Sequence, residues 1–109
     1  MSYATRTEVI LDAVTTDTTS NSFGGGKTGQ DENSKHCLKA TGGFGGGTLT
    51  IEAEFDKDDA WAPLVDPSTG DSYSFTSPFC IELVTKAGIG LRAVLTGATG
   101  ATLTLKRIR

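Results

Sequence analysis

Hydrophobic and polar residues alternate with a period of two along much of the chain. The alternation is clearest in TLTIEAEF, residues 48–55, where threonine and glutamate occupy every second position. Successive side chains of a β-strand point to opposite faces, so this pattern predicts a strand with one buried face. No stretch keeps apolar residues at the spacing of a helix over a useful length, and we therefore expect almost no helix.

The same alternation recurs in short segments bounded by Gly, Pro, Asn or Asp. These segments are TEVILDAVT, SYSFTS, FCIELVT, GLRAVLTG and ATLTLKRI, with less regular candidates around Phe23, at 36–39 and at 60–65. In TEVILDAVT, we expect Val9, Leu11 and Ala13 to share one face. Short strands with this spacing and one polar face are typical of antiparallel sandwiches and barrels. The sequence predicts an all-β fold, an antiparallel and jelly-roll-like β-sandwich of about eight strands.

The predicted core consists of the large side chains on the apolar faces of these strands. They are Leu49, Ile51, Phe55, Trp61, Phe75, Leu83, Leu91, Leu95, Leu103 and Leu105. A chain of 109 residues forms one core, so residues 1–109 are expected to be a single domain. The segment at about 15–47 is rich in Gly, Ser and Thr and has little to bury. We expect it to form a loop or arm that becomes ordered against another surface.

Charge and composition argue against several classes of partner. The formal net charge is −3, and the one basic run is Lys106, Arg107 and Arg109, which we interpret as a solvated tail or partner contact. We expect no nucleic-acid partner, because such binding needs a basic stripe. No window approaches the ~20 apolar residues of a membrane span, and the N-terminus lacks a signal-peptide pattern. We therefore expect a soluble cytoplasmic product. Cys37 and Cys80 could form one disulfide, but in the cytoplasm we expect them to stay reduced and buried.

The segment NSFGGGKTG ends like a phosphate-binding loop. Gly26, Lys27 and Thr28 match the end of that motif, but Asn21 stands where its first glycine belongs. In a phosphate-binding loop, an apolar strand before the loop and a helix after it position the amides that bind phosphate. The sequence around this segment predicts neither element. We interpret the segment as a flexible loop.

The acidic residues Asp56, Asp58 and Asp59 have part of the spacing of a calcium loop. Ala60 falls on the third ligand position, and no glutamate follows at the required offset. The segment also has a partial likeness to the Asp-box hairpin, in which an aspartate caps backbone amides and a tryptophan, here Trp61, packs beneath the turn. We therefore expect these residues to turn the chain without a metal.

Other chemical groups form no complete catalytic arrangement. His36 has no nucleophile beside it, since Cys37 would lie on the opposite face of a strand. A zinc site needs more Cys and His ligands than one histidine and two cysteines readily supply. Glu52 and Glu54 share a strand face, but nothing indicates the cleft that a glycosidase needs. We predict that the protein is not an enzyme and has no catalytic, cofactor-binding or metal-binding residues.

The segments TLTIEAEFD, AWAPLVD, YSFTSPF and GLRAVLTGATGATLTLKRI resemble small β-rich structural proteins of tailed-bacteriophage virions. The resemblance covers roughly the last sixty residues. It implies a structural virion protein that decorates or cements the capsid as a homo-oligomer, such as a trimer, and is assembled in the host cytoplasm. Its partner would be the major capsid protein or another virion protein. This role needs no deep pocket, because a repeated lattice multiplies modest contacts.

A carbohydrate- or receptor-binding β-sandwich module of a phage tail or fibre is the alternative function. Such modules commonly present aromatic platforms to their ligands. This chain has one Trp, two Tyr and five Phe, which is few for that purpose. Trp61 and Phe75 are also expected in the core, so the structural role is favoured.

Overall fold

The computed structural model describes residues 7–24, 33–54, 60–86 and 89–108. Regular structure in these residues is antiparallel β-strand without a helix, which confirms the all-β prediction. The strands are β1 (Thr7–Thr19), β2 (Phe23–Gly24), β3 (Asn33–Thr41), β4 (Thr48–Glu54), β5 (Ala62–Pro63), β6 (Ser74–Phe75), β7 (Phe79–Lys86) and β8 (Gly90–Ile108). A helix that could cross a membrane does not occur in this described part of the chain.

Strand β8 lies at the centre of the sheet. One of its edges pairs with β1 and β2, and the other pairs with β3 and β4. β7 extends the sheet beyond β3, while β5 and β6 pair with β4. The described strands therefore belong to one hydrogen-bonded sheet. The sandwich or jelly-roll form and the number of strands stay predictions.

Two segments that were predicted as separate strands form the single strand β8. The Gly-Ala-Thr-Gly sequence at 97–100 does not end the strand, although the register with β1 shifts on both sides of Thr99. Gly97 and Gly100 have positive φ values of +74° and +68°, which side chains with a Cβ rarely adopt. These glycines let the strand change direction without ending, so its two halves reach different partners.

The glycine-rich segment between β3 and β4 continues their contact with β8. The Thr99 amide donates to the Gly45 carbonyl at 3.0 Å, and the Thr102 amide donates to the Gly43 carbonyl at 2.9 Å. Phe44, between the two glycines, is buried in the core. The small residues allow the two backbones to approach closely across the bend of β8.

The described residues of the segment at about 15–47 thus differ from the expected loop or arm. They include the end of β1, all of β2 and β3, and the glycine-rich segment. Leu38 and Ala40 of β3 are fully buried. Composition suggested little to bury, but β3 has a neighbour on each side and contributes His36, Leu38 and Ala40 to the buried face.

We call the core side of the sheet the inner face and the opposite side the outer face. Buried apolar residues of the inner face are Leu11, Phe23, Leu38, Ala40, Phe44, Leu49, Ile51, Ala53, Leu83, Leu91, Ala93, Leu95, Ala101, Leu103 and Leu105. All seven leucine and isoleucine residues of the predicted core are among them. Phe75 is half-buried and packs against this core. Trp61 is half-buried and is not part of the core, which corrects its assignment, and Phe55 lies outside the described residues.

Strand β1 departs from simple alternation. Leu11 is buried, whereas Val9 is 51% exposed and Ala13 is exposed with a φ of +49°. The register with β8 shifts between Val9 and Leu11 and again between Leu11 and Val14. Such irregularities reorient the following side chains, so the prediction that Val9, Leu11 and Ala13 share one face is wrong.

The sheet curls around the core. Phe23 pairs with Leu91 near the start of β8, yet its ring centroid lies 5.6 Å from the guanidinium carbon of Arg107 near the other end. In a straight strand, residues 91 and 107 would be about 50 Å apart at the usual rise of ~3.3 Å per residue. The contact therefore requires strong curvature of the sheet.

Truncating Ile51 or Leu103 to alanine should lower the free energy of unfolding by about 2–5 kcal/mol, because both side chains are fully buried. Val9→Ala is the control. This valine is 51% exposed, so its truncation should lower the free energy of unfolding by less than about 0.5 kcal/mol. Chemical denaturation measures all three changes. Equal losses in the core and control variants would contradict the core assignment.

Gly42→Ala should destabilise the protein more than Gly46→Ala. Both glycines have positive φ, at +93° and +77°, so either substitution adds backbone strain of about 1–2 kcal/mol. An added Cβ at Gly42 would also overlap the backbone oxygen of Thr102, whereas nothing lies within 4 Å at Gly46. Urea denaturation compares the variants. If the two lose the same stability, the close approach at Gly42 is not a constraint.

Candidate functional site

Three exposed lysines lie on the outer face where β3 runs beside the end of β8. Lys39 and Lys106 are direct cross-strand partners, and Lys35 lies further along β3 on the same face. Like charges directly opposite each other destabilise a sheet. A negatively charged partner would relieve this repulsion.

Two exposed valines flank these lysines. Val9 of β1 lies opposite Lys106, and Val84 of β7 lies opposite Lys35. Their exposed fractions are 51% and 54%. We call these five residues the lysine patch, namely Val9, Lys35, Lys39, Val84 and Lys106. Apolar surface beside like charges can support both the affinity and the orientation of a docked protein.

The ion pairs between described residues leave the lysine patch unneutralised. One pair joins Arg92 to Glu52 at 2.7 Å, and the other joins Arg107 to Glu8 at 2.9 Å. Glu82 is on the same face, opposite Cys37 on β3, but forms no ion pair with the described lysines. The patch is therefore locally positive in a chain whose formal net charge is −3.

The cysteines lie on the outer face beside the lysine patch. Cys37 pairs with Glu82, and Cys80 pairs with Lys39, so the two cysteines are diagonal neighbours. Both are free thiols, and Cys80 is exposed, which corrects the expectation that both are buried. Partial burial raises the pKa of Cys37, and its contact with the Cys80 thiol raises that pKa further. Cys37 is thus protonated at neutral pH and is a weak nucleophile.

His36 faces the core, on the opposite side of β3 from Cys37, as the alternation predicts. Its Nδ1 lies 3.3 Å from Arg107 Nη1, and its Nε2 lies 3.3 Å from Thr85 Oγ1. A guanidinium only donates hydrogen bonds, so Nδ1 must accept and Nε2–H is left to donate to the threonine. This arrangement orients a neutral imidazole between β7 and β8.

The interpretation of the basic run as a solvated tail or partner contact is wrong for Arg107. Its side chain is 5% exposed and makes an ion pair with Glu8 on β1. Period-two alternation turns Arg107 inward while Lys106 stays outside. The buried cluster of His36, Thr85 and Arg107 joins strands of the sheet, and the described residues include no group of three or more acidic, His or Cys residues that could hold a metal.

Glu52 and Glu54 share the outer face of β4, as predicted. Glu52 lies opposite Arg92 and accepts hydrogen bonds from its Nε and Nη2, both at 2.7 Å. The same guanidinium stacks over Trp61, with its carbon 4.6 Å from the ring centroid. Trp61 therefore packs against Arg92 on the outer face, where a cation–π contact adds to the ion pair.

Two motifs considered in the sequence fall outside the described residues. They are the phosphate-loop-like Gly26, Lys27 and Thr28 and the acidic residues Asp56, Asp58 and Asp59. Their interpretations as a flexible loop and a metal-free turn stay predictions. Sequence reasoning also missed Lys35 and Lys39, because their proximity to Lys106 depends on the register of β3 with β8.

No protein-family model, curated protein or solved structure matches this chain. The likeness to virion proteins accordingly rests on the segments quoted from the sequence.

Asp66 begins a tight turn between β5 and β6. Its carboxylate Oδ1 accepts hydrogen bonds from the Ser68 amide at 2.9 Å and the Ser68 hydroxyl at 2.8 Å. Its backbone carbonyl accepts from the Gly70 amide at 2.8 Å. The backbone bond to the Ser68 amide, followed by the hydroxyl bond, lowers the pKa of Asp66.

Asp66→Asn should remove part of the acid sensitivity of the protein. The folded-state pKa of Asp66 lies below its ordinary value of 3.8, so the ionised carboxylate stabilises the fold above that pH. This contribution is lost as the pH falls through the folded-state pKa. At neutral pH the wild type should melt slightly above the variant, and the two melting temperatures should converge in acid.

Asp71→Asn is the control in the same turn, because that carboxylate accepts no hydrogen bond from the described residues. It should leave the melting temperature at neutral pH close to that of the wild type. If the melting temperatures of the wild type and Asp66→Asn differ by the same amount at every pH, the charge of Asp66 does not stabilise the fold as proposed.

Proposed function

We propose that this chain is a structural virion protein of a tailed bacteriophage, which decorates or cements the capsid as a homo-oligomer. The lysine patch carries this proposal, because it is an exposed surface with like charges held opposite each other and apolar side chains beside them. Its partner is an acidic surface of the major capsid protein or of another virion protein. The proposal includes no enzymatic activity and no cofactor.

Electrostatics make the lysine patch suited to finding and orienting such a partner. An acidic surface attracts the patch and is repelled by the rest of a net-negative chain, so docking in one orientation is favoured. Exposed charge pairs are each worth little in water. Binding many copies to neighbouring sites of a capsid adds their contributions, particularly if the copies are linked as an oligomer.

The segments that resemble virion proteins supply one residue of the lysine patch and part of the sheet that holds it. They include β4, β6 and β8, and β8 contributes Lys106. Lys35 and Lys39 come from β3, outside the resembling region, and complete the patch through pairing with β8. The proposal also retains a jelly-roll-like sandwich of about eight strands, which is supported by the curl that brings Phe23 to Arg107.

The second candidate function is a carbohydrate- or receptor-binding module of a tail or fibre. The half-exposed Trp61 on the outer face favours it, because an aromatic ring beside Arg92 and Glu52 combines the apolar and polar groups of a ligand site. However, the Arg92 guanidinium already covers one face of the ring. A ligand could stack only on the other face.

Lys39→Gln and Lys106→Gln should each weaken binding to purified capsids that lack this protein, as measured by co-sedimentation. Added salt should also weaken binding of the wild type, because exposed charges are screened. Thr96→Glu is the matched control. This substitution also makes the net charge more negative by one and lies on the outer face. It is outside the lysine patch, in the half of β8 that pairs with β4. Equal binding by all variants would exclude the lysine patch as the docking surface.

Cryo-electron microscopy of the phage particle separates the two candidate functions. Density for this chain on the capsid lattice, with the patch against the shell, would support decoration. Density on the tail or fibre would overturn it in favour of the binding module. Loss of glycan or receptor binding by Trp61→Ala, with Phe75→Ala as a half-buried aromatic control, would then test the ring as the ligand site.

A further inference from the structure

Strand β7 lies at the edge of the sheet formed by the described strands. It pairs with β3 through eight consecutive residues without a register shift, and its other edge has no partner among the described strands. An open edge exposes backbone donors and acceptors that readily pair with another strand. The side chains of β7 on the outer face include Glu82 and Val84, and Val84 is 54% exposed.

The other outlying strand beside β8, β1, is less suited to such pairing. Its register with β8 shifts repeatedly, and Ala13 has a positive φ of +49°. Bulges of this kind twist an edge away from regular pairing and protect it. β7 has no bulge, and Pro78 precedes the strand instead of interrupting it. A second β7 matches this regular edge better than β1 does.

We propose that β7 pairs antiparallel with β7 of a second copy, about a two-fold axis at Val84. This arrangement uses the same strand from each copy, as a closed symmetric dimer requires. It places Val84 opposite its own equivalent and Glu82 opposite Lys86 of the other copy, twice by symmetry. Opposite charges and apolar side chains in direct cross-strand positions stabilise a sheet.

Neighbouring registers lack this complementarity. An axis at Glu82 places two glutamates opposite each other, and an axis at Lys86 does the same with two lysines. An axis at Leu83 pairs Glu82 with Val84, and one at Thr85 pairs Val84 with Lys86. Like charges or a charge against an apolar side chain disfavour these alternatives, so the register at Val84 is selected.

The dimer would join the outer faces of two copies into one surface. The two-fold axis is perpendicular to the sheet, so the outer face of each copy stays on the same side. Lys35 lies opposite Val84 within each copy, so two lysine patches would adjoin the new strand pair. The pairing is independent of capsid binding and can be measured on the free protein.

Cysteine crosslinking in solution tests both the edge and the register. In a Cys37→Ser, Cys80→Ser background, Val84→Cys should form a disulfide-linked dimer on mild oxidation, because directly opposed Cβ atoms approach disulfide distance. Val9→Cys in the same background is the control. The two valines are similarly exposed, at 51% and 54%, but Val9 lies on β1.

Charge reversal then separates specific pairing from random collision. In the Val84→Cys background, Glu82→Lys should reduce crosslinking several-fold, and adding Lys86→Glu should restore it. Selective crosslinking at Val84 with rescue by the double reversal supports the proposed dimer. Crosslinking that is equal at Val9 and Val84, absent at both sites, or not restored by the double reversal overturns it.

Discussion

The fold depends on backbone pairing along both edges of β8. This strand of 19 residues contacts β1 and β2 on one side and β3 and β4 on the other. Such pairing is maintained through the bend at Gly97 and Gly100 because the glycine-rich segment opposite supplies two further backbone hydrogen bonds. Without this match, the Thr99 and Thr102 amides would lose these hydrogen-bond acceptors.

Curvature of β8 gives a single sheet an enclosed core and also brings polar groups inside it. Phe23 reaches His36 and Arg107 across the core, and Arg107 in turn binds Glu8. Burying a guanidinium has a large desolvation cost, which the ion pair and hydrogen bonds offset only in the correct arrangement. We infer that this cluster helps to specify the register of β1, β3 and β8.

The arrangement of side chains on the outer face depends on the same strand register. Pairing of β3 with β8 places Lys39 beside Lys106, while pairing of β3 with β7 places Val84 beside Lys35. These contacts produce a positive surface next to a strand edge that pairs with no other described strand. The two proposals therefore use neighbouring parts of the molecule, with the patch facing a capsid and the edge facing a second copy.

The sequence alone determined the class of fold, most strand positions and the leucine and isoleucine core, because side-chain alternation is a local property of neighbouring residues. Tertiary structure decided features that depend on pairing between distant residues. Bulges turned Val9 outward, curvature enclosed Arg107, and register assembled Lys35, Lys39 and Lys106 on one face. A shift of one residue reverses the face of a strand, and no local pattern determines where such shifts occur.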